Sequence, residues 1–266
     1  MKVPGGEGEV DGGLARTAVN RGMRVKPGSR LTFVSQQSAG ACVVFDMDGV
    51  IVDSEPLWVR ARKDLVREAG GRWIAEAETA MMGISSDRWS AYMRDRLGLE
   101  DMTPAHIRDE VLARMVALYG AQVPLLPGAR EAVEATARRW RLGIASGSDR
   151  VLLDTVLSAT GLGDRFAATV SGEEVTAGKP DPLIYQEVCR RLGADPRACL
   201  AIEDSGSGIE SALAAGMTVV AVPRPGFQPD PDVLRRADAV LPDLTRLDAD
   251  LVATVLAAPQ NPRASR

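Results

Sequence analysis

Short apolar runs alternate with helix-like segments over most of the chain after residue 125, and one more apolar run precedes them at 41–45. Runs of this length without polar alternation are typical of strands that helices cover on both faces. The predicted strands are 41–45, 142–146, 168–170, 199–202, 218–222 and 239–241. The predicted helices after 125 are 129–140, 150–159, 182–192, 206–215 and 248–257. Right-handed β–α–β connections then predict an α/β fold with a doubly wound parallel sheet.

The segment between the first two predicted strands has helix-like periodicity only. Its predicted helices are 57–69, 74–82, 86–97 and 104–119. The last of these starts with a threonine cap followed by a proline, a common way to begin a helix. We therefore expect an all-helical insert at 57–124, within an α/β core made of 39–56 and 125–266.

Residues 1–38 are rich in glycine and polar residues and show no clear periodicity. We expect them to form a mostly disordered extension, in which the short run 31–34 resembles an isolated strand. The first thirteen residues have no apolar core of the kind that a secretory signal needs.

Composition narrows the function classes. The 266 residues are 45% hydrophobic and 26% charged, which is ordinary for a globular protein. The net charge of −4 and the lack of a long basic run do not favour a nucleic-acid partner. No apolar run approaches the length of a membrane span, so a membrane partner is not expected either.

Cysteine and histidine usage points away from thiol and zinc chemistry. The three cysteines, Cys42, Cys189 and Cys199, have no C-x-x-C spacing and lie in apolar surroundings. We expect them to be buried free thiols, which favours a reducing, cytoplasmic location. The single histidine, His106, lies in a charged helical stretch and is expected at the surface, so neither a Cys–His pair nor a zinc site is predicted.

Candidate chemistry begins directly after the first strand, at Asp46-x-Asp48. Residues two apart in an extended chain point to the same side, so both carboxylates would face one spot. Like charges held this close repel each other unless a cation or a reaction uses them. The alternative is that Asp48-Gly49 merely closes a hairpin.

Three further polar clusters follow later strands or loops. Ser146 and Gly147 follow a strand and could bind a phosphate, although Ser146 could equally cap the next helix. Lys179 lies in a proline-stiffened loop before a helix; a solvated lysine is the alternative, but helix N-termini repel cations. Glu203 and Asp204 end a buried strand before a glycine-rich turn.

These clusters are expected at one edge of the sheet, because ligands of such sheets bind beyond the carboxyl ends of the strands. The glycine-rich turn does not complete a dinucleotide-binding fingerprint, since Ser211 stands where the third glycine would be. Four carboxylates and one lysine would need a divalent cation, and oxygen-only ligands beside a phosphate favour Mg²⁺.

The motifs resemble those of the haloacid dehalogenase superfamily, in the branch with β-phosphoglucomutase and small sugar-phosphate phosphatases. The resemblance rests on the segment 46–56, on Lys179-Pro-Asp-Pro and on Glu203-Asp-Ser-x-x-Gly-Ile, and it spans about 41–222. It implies that the helical insert is a cap that closes over a small phosphorylated metabolite. We expect a monomeric enzyme.

The resemblance also implies residue roles. Asp46 would be the nucleophile that forms an aspartyl-phosphate, and Asp48 the acid and base. Ser146, Gly147 and Lys179 would bind the phosphoryl group, and Lys179 would keep Asp46 ionised. The Mg²⁺ ligands would be Asp46, the backbone carbonyl of Asp48, Glu203 and Asp204, and Gly49 would allow the tight turn beside them.

The resemblance leaves the reaction open between phosphatase and mutase. The positions where mutases of this family carry a histidine and a cap arginine hold Trp58 and Ser86, with Arg88 near the second, so a phosphatase is favoured. A non-catalytic binding module is disfavoured because the nucleophile and the acids are present, and a dehalogenase would not need the Mg²⁺ acids. Glu55, Trp58 and Arg88 are the substrate-contact candidates, although tryptophans at helical spacing are commonly core residues.

Overall fold

A seven-stranded sheet forms the centre of the computed structural model, which describes residues 24–25, 40–226 and 228–258. The strands are β1 Arg24–Val25, β2 Cys42–Phe45, β3 Arg141–Ala145, β4 Phe166–Val170, β5 Leu200–Glu203, β6 Thr218–Ala221 and β7 Ala239–Val240. Their spatial order is β1-β7-β6-β5-β2-β3-β4. Strands β2 to β7 are parallel, and β1 pairs antiparallel with β7 at the edge. The predicted doubly wound parallel sheet is confirmed.

The helices lie between the strands along the chain, except that α10 follows the last strand. They are α1 Glu55–Glu68, α2 Ala77–Met81, α3 Ser86–Arg96, α4 Pro104–Ala121, α5 Ala129–Ala137, α6 Arg150–Thr160, α7 Leu183–Leu192, α8 Gly206–Ala214, α9 Pro231–Leu234 and α10 Ala249–Ala257. Helices α1 to α5 lie between β2 and β3, and α1 to α4 occupy the stretch of the predicted insert, where only helices were predicted. The limits 57 and 124 of the predicted insert, and its division from the core, stay a prediction.

Some predicted element limits are wrong. The helix predicted over 74–82 is the shorter α2, because its first turn is an irregular segment. Strand β4 starts at Phe166 rather than 168, directly after a 3₁₀ turn at Gly163–Arg165. Helix α9 was not predicted; the Asp230 side chain caps it by accepting from the Asp232 amide. Of the predicted extension at 1–38, the structure describes only β1, which the pattern did not predict, and the run 31–34 lies outside the described residues.

The central strands are buried on both faces, which explains their unbroken apolar runs. Val43 and Phe45 of β2 pack in one apolar cluster, and Val44 packs in the other. The first cluster continues into the helices before β3, where Trp89 and Met115 are fully buried. The sheet and helices α1 to α4 therefore share a continuous apolar core.

The predicted burial of the cysteines and the predicted exposure of the histidine are confirmed. Cys42, Cys189 and Cys199 are buried free thiols, and His106 is exposed. Among the described residues, none of the helices combines the length and the apolar character needed to cross a bilayer.

Candidate active site

Strands β5, β2 and β3 lie side by side, and their registers align their carboxyl ends. Phe45 pairs with Ile202 on one side and with Ile144 on the other. The residues that follow in each strand or loop therefore meet at one edge of the sheet. Asp46 comes after β2, Ser146 after β3, and Glu203 ends β5 with Asp204 directly after it.

Lys179 connects the ends of these three strands. Its Nζ donates to Asp46 Oδ1 at 2.6 Å, to Glu203 Oε1 at 2.6 Å and to the Ala145 carbonyl at 3.0 Å. The side chain is only 11% exposed, so the solvated lysine considered from the sequence is not what the fold forms. Burial would lower the pKa of Lys179, but the carboxylates of Asp46 and Glu203 raise it, so the ammonium stays charged.

Asp46, Glu203 and Asp204 form a buried carboxylate cluster. One oxygen from each lies within 4.8 Å of those from the other two. Burial raises the pKa of Asp46 well above its usual value; Lys179 opposes this, but Glu203 and Asp204 add to it. Burial and Glu203 raise the pKa of Asp204 to about 7, against the effect of Arg224. Lys179 thus favours the ionised form of Asp46 against burial and the neighbouring acids, and its role in keeping Asp46 ionised stays a prediction.

The cluster fits a hard divalent cation. Its donors are all carboxylate oxygens, they are buried, and the lysine and arginine that contact them leave the pKa values of Asp46 and Asp204 raised. Additional positive charge at this point would stabilise the ionised carboxylates. Gly49 allows the turn beside the cluster, since its φ is +82° and a Cβ there would lie 2.0 Å from Asp204 Oδ2.

Asp48 faces a different set of groups from Asp46. Its carboxylate accepts from Ser148 Oγ at 2.7 Å and from Ser146 Oγ at 3.3 Å, and its side chain is outside the carboxylate cluster. Asp48 still lies close enough to Asp46 to raise the pKa of that carboxyl, although β2 ends at Phe45 and a turn follows at Gly49. The hydroxyls of the loop after β3 thus contact Asp48, while Lys179 contacts Asp46.

Glu203 is held by donors from several elements. Tyr185 on α7 donates its hydroxyl at 2.7 Å, and Ser205 donates its own at 3.2 Å. The backbone amides of Asp204 and Ser205 lie at 3.2 and 3.3 Å. At Gly208 the first turn of α8 passes so close that a Cβ would lie 1.9 Å from a carboxylate oxygen of Glu203.

Sequence reasoning missed Arg224, Tyr185 and Ser148. Arg224, in the loop after β6, donates to Asp204 Oδ2 at 3.1 Å and to Asp53 Oδ1 at 3.0 Å. Nothing in its surrounding sequence marks it as a site residue. Tyr185 lies close to Lys179 in the sequence, and Ser148 lies close to Ser146. This closeness to predicted site residues is the one sequence feature that could have indicated them.

A cavity of about 470 Å³ lies between the sheet edge and helices α1 and α2. Its lining residues are Asp53, Glu55, Pro56, Val59, Glu78, Met82, Leu126, Arg224 and Pro225. Of the substrate candidates, only Glu55 lines it. Trp58 is 8% exposed and packs edge-to-face on Trp89, and Arg88 is exposed at the surface. Gly147 lies in the loop beside Ser146, and a Cβ there would meet nothing within 4 Å.

The chain is similar to known proteins in both sequence and fold. The sequence model of the haloacid dehalogenase-like hydrolases matches residues 41–216. Hexitol phosphatase B of Escherichia coli is 36% identical over 208 residues, which are 77% of this chain and 93% of that protein. The phosphorylated carbohydrates phosphatase of Thermotoga maritima is 30% identical over 176 residues, 66% of this chain and 81% of that one. The crystal structure of CbbY from Rhodobacter sphaeroides in complex with phosphate superposes with a TM-score of 0.72 at 24% identity, covering 80% of this chain and 99% of that one.

Proposed function

The chain belongs to the haloacid dehalogenase-like hydrolase family and is a phosphoric monoester hydrolase, and on that premise we propose that it is a Mg²⁺-dependent phosphatase of a small sugar phosphate. The resemblance predicted from the sequence is thereby confirmed. The observation that carries the proposal is the convergence of Asp46, Lys179 and the buried acids Glu203 and Asp204 at one edge of the sheet. The named activities of the two phosphatase relatives support the substrate class.

In the first step, a carboxylate oxygen of Asp46 attacks phosphorus and the bond to the sugar oxygen breaks. Asp48 donates its proton to that leaving oxygen, which departs as the alcohol. The product is an aspartyl-phosphate on Asp46. This splits a reaction that is extremely slow in water into two easier displacements.

In the second step, Asp48 takes a proton from water, the water oxygen attacks phosphorus, and the bond to Asp46 breaks. The position of Asp48 suits both steps, because hydroxyls rather than Lys179 contact its carboxylate and one of its oxygens has no hydrogen-bond partner among the residues that the structure describes. A group that gives up and regains a proton works best without a fixed cationic partner.

The phosphoryl oxygens need positive charge and hydrogen-bond donors. Lys179 and the loop Ser146–Gly147 supply them from the protein side. Mg²⁺, held by Asp46, Glu203, Asp204 and the backbone carbonyl of Asp48, would neutralise the remaining charge of the phosphate and of the acids. We further propose that residues 57–124 act as the cap over this site. We also propose a cytoplasmic location, which the buried free thiols of Cys42, Cys189 and Cys199 support.

A mutase is the weaker candidate. A mutase has to bind a second phosphate, yet Ser86 donates to Asp149 and Arg88 is exposed at the surface. Among the residues that line the cavity, the single cation is Arg224, which two carboxylates already engage. A mutase would interconvert sugar phosphates without net release of phosphate, which an assay distinguishes directly.

The test measures phosphate release from p-nitrophenyl phosphate and from a panel of sugar monophosphates, with Mg²⁺ and with EDTA. Asp46→Asn should lower kcat by about 10³-fold or more, because the residual rate rests on binding and electrostatics alone. Asp154→Asn, which changes an exposed acid on α6, is the matched control. Release that is independent of metal, or an unaffected Asp46→Asn enzyme, would contradict the proposal.

A further inference from the structure

The cavity beside the carboxylate cluster has an acidic wall. Arg224 lines it and also contacts Asp204, so the cavity adjoins the proposed site of phosphoryl transfer. The other charged lining residues are Asp53, Glu55 and Glu78. A second phosphate would face these carboxylates, and Arg224 is already engaged by Asp53 and Asp204. The charge of the wall therefore favours an uncharged leaving group.

Glu55 provides a specific hydrogen-bond acceptor in this wall. Its Oε1 is buried and has no hydrogen-bond partner in the described part of the chain. An ionised carboxylate can only accept hydrogen bonds, so a ligand that satisfies it must bring a donor. Sugars and sugar alcohols bring several hydroxyl donors.

Arg62 lies on the same face of α1 as Glu55 and Trp58, since these positions are related by three and four residues. Its side chain is 4% exposed, and its guanidinium carbon lies 4.8 Å from the Trp58 ring centroid and 5.1 Å from that of Trp89. The two rings thus hold the guanidinium in place. Burial lowers the pKa of Arg62 to about 10, against the effect of Glu55, so it stays charged near neutral pH.

The arrangement is not explained by packing alone. An arginine buried without a close ion pair is a costly core residue, and an apolar side chain would pack between two tryptophans at least as well. The Arg62 Nε has no hydrogen-bond partner among the described residues. Its charge does have an electrostatic counterpart, because Arg62 favours the ionised form of Glu55.

The groups around Glu55 compete. Burial raises the pKa of Glu55, Arg62 and Arg224 lower it, and Asp48 and Glu78 raise it further, with a net rise. Arg62 is the larger of the two opposing influences. Removing its charge would therefore weaken Glu55 as an acceptor without touching the phosphoryl site.

We infer that Glu55 accepts a hydroxyl of an uncharged, hydroxyl-bearing leaving group, and that Arg62, clamped between Trp58 and Trp89, is the positioning residue for Glu55. The inference rests on the proposed phosphatase function and specifies the substrate as a polyol or sugar monophosphate rather than a bisphosphate. Trp58 then contributes by holding Arg62, not by contacting the sugar.

The experiment compares kcat/KM for the fastest sugar or sugar-alcohol monophosphate, such as sorbitol 6-phosphate, with kcat/KM for p-nitrophenyl phosphate, whose leaving group has no sugar hydroxyls. Glu55→Gln should lower the ratio of the two about tenfold or more, since a hydrogen bond to a charged acceptor is lost. Both rates come from one preparation, so the ratio does not depend on the fraction of folded enzyme. Glu76→Gln, an exposed acid before α2, is the matched control.

Arg62 is tested by the same ratio. Arg62→Met should lower it in the same direction, and Arg62→Lys should restore most of it because the charge returns. The double variant Glu55→Gln/Arg62→Met should lose no more than Glu55→Gln alone, since both changes remove one interaction. A merely structural arginine would change stability without changing the ratio.

Different results would contradict the role of Glu55 and the proposed phosphatase function. Two outcomes would overturn this inference: a Glu55→Gln ratio within about twofold of the wild-type ratio, or a wild-type enzyme that prefers fructose 1,6-bisphosphate to monophosphates. The proposed function would still stand in either case if phosphate release from sugar monophosphates depends on Asp46. A wild-type enzyme that releases phosphate from no sugar monophosphate would overturn both.

Discussion

Gly208 is the glycine whose backbone approaches a carboxylate of the candidate site most closely. A Cβ at this position would lie 1.9 Å from one carboxylate oxygen of Glu203 and 2.1 Å from the other. Glu203 is fully buried and bound by Lys179 and Tyr185, so it has little room to move. We expect Gly208→Ala to lower the free energy of unfolding by about 1–3 kcal/mol, as overpacking does, and to lower phosphate release at least about tenfold.

Gly206, two residues earlier in α8, offers a matched control. A Cβ there would meet only Pro229, at an ordinary 3.7 Å. Gly206→Ala should therefore stay within about 1 kcal/mol of wild type in urea unfolding and keep its activity. If both variants lose stability and activity equally, the close approach of Gly208 to Glu203 is not the cause.

The residues of the candidate site differ in how well the sequence predicts them. Asp46, Lys179 and the acids Glu203 and Asp204 are marked by strand ends and fixed motifs, and the structure brings them together. Arg224 contacts Asp204 from a loop with no motif, twenty residues later in the chain. Only the fold reveals such a contact, because it depends on where the loop after β6 passes over the strand ends.

At the scale of elements, Asp149 connects helices α3 and α4 to the loop after β3. Arg108 on α4 donates to one Asp149 oxygen at 2.6 Å and also contacts Glu173, and Ser86 at the start of α3 donates to the other Asp149 oxygen at 2.7 Å. The Asp149 side chain is 4% exposed and Arg108 is 30% exposed. Such a charged hydrogen bond is shielded from solvent and should contribute measurably to stability.

A double-mutant cycle with Arg108→Met and Asp149→Asn tests this link by urea unfolding. We expect a coupling energy above about 1.5 kcal/mol. The same cycle on Arg139 and Asp250, an ion pair whose side chains are 53% and 84% exposed, should give less than about 1 kcal/mol. Equal coupling in the two cycles would mean that the Asp149 link does not hold the helices to the core.

Most helices and strands were predictable from the sequence, because apolar runs indicate buried strands and capping residues indicate where helices begin. Pro104 begins α4 as predicted, and Thr103 accepts from the His106 amide as its cap. The link through Asp149 was not predictable. Asp149 stands directly before α6 without a side-chain capping hydrogen bond, and its carboxylate binds Ser86 and Arg108, which lie far away along the chain.

At the scale of the whole molecule, the buried acids make stability depend on pH. The pKa of Asp204 rises from 3.8 to about 7 on folding, and that of Asp46 also rises, because of burial and neighbouring carboxylates. The folded chain thus holds protons that the unfolded chain releases, so this contribution is complete below about pH 4 and is lost as the pH rises through about 7. Glu174 and Glu187, whose pKa values are lowered from 4.5 to about 2, act in the opposite direction. Their contribution to stability is lost only as the pH falls from about 4.5 to about 2.

Magnesium should reverse this loss, because it binds the ionised acids that burial disfavours. In EDTA, we expect the Tm to fall between about pH 5 and about pH 7.5, and Asp204→Asn to flatten that fall, with Asp154→Asn as control. Added Mg²⁺ at a hundredfold excess over its Kd should stabilise the wild type by about 2.7 kcal/mol. The rise in Tm should be larger near pH 7.5 than near pH 5, since protons compete with the metal for the same oxygens. If Mg²⁺ does not change the Tm at either pH, or if it raises the Tm of Asp204→Asn as much as that of the wild type, these carboxylates do not hold the ion.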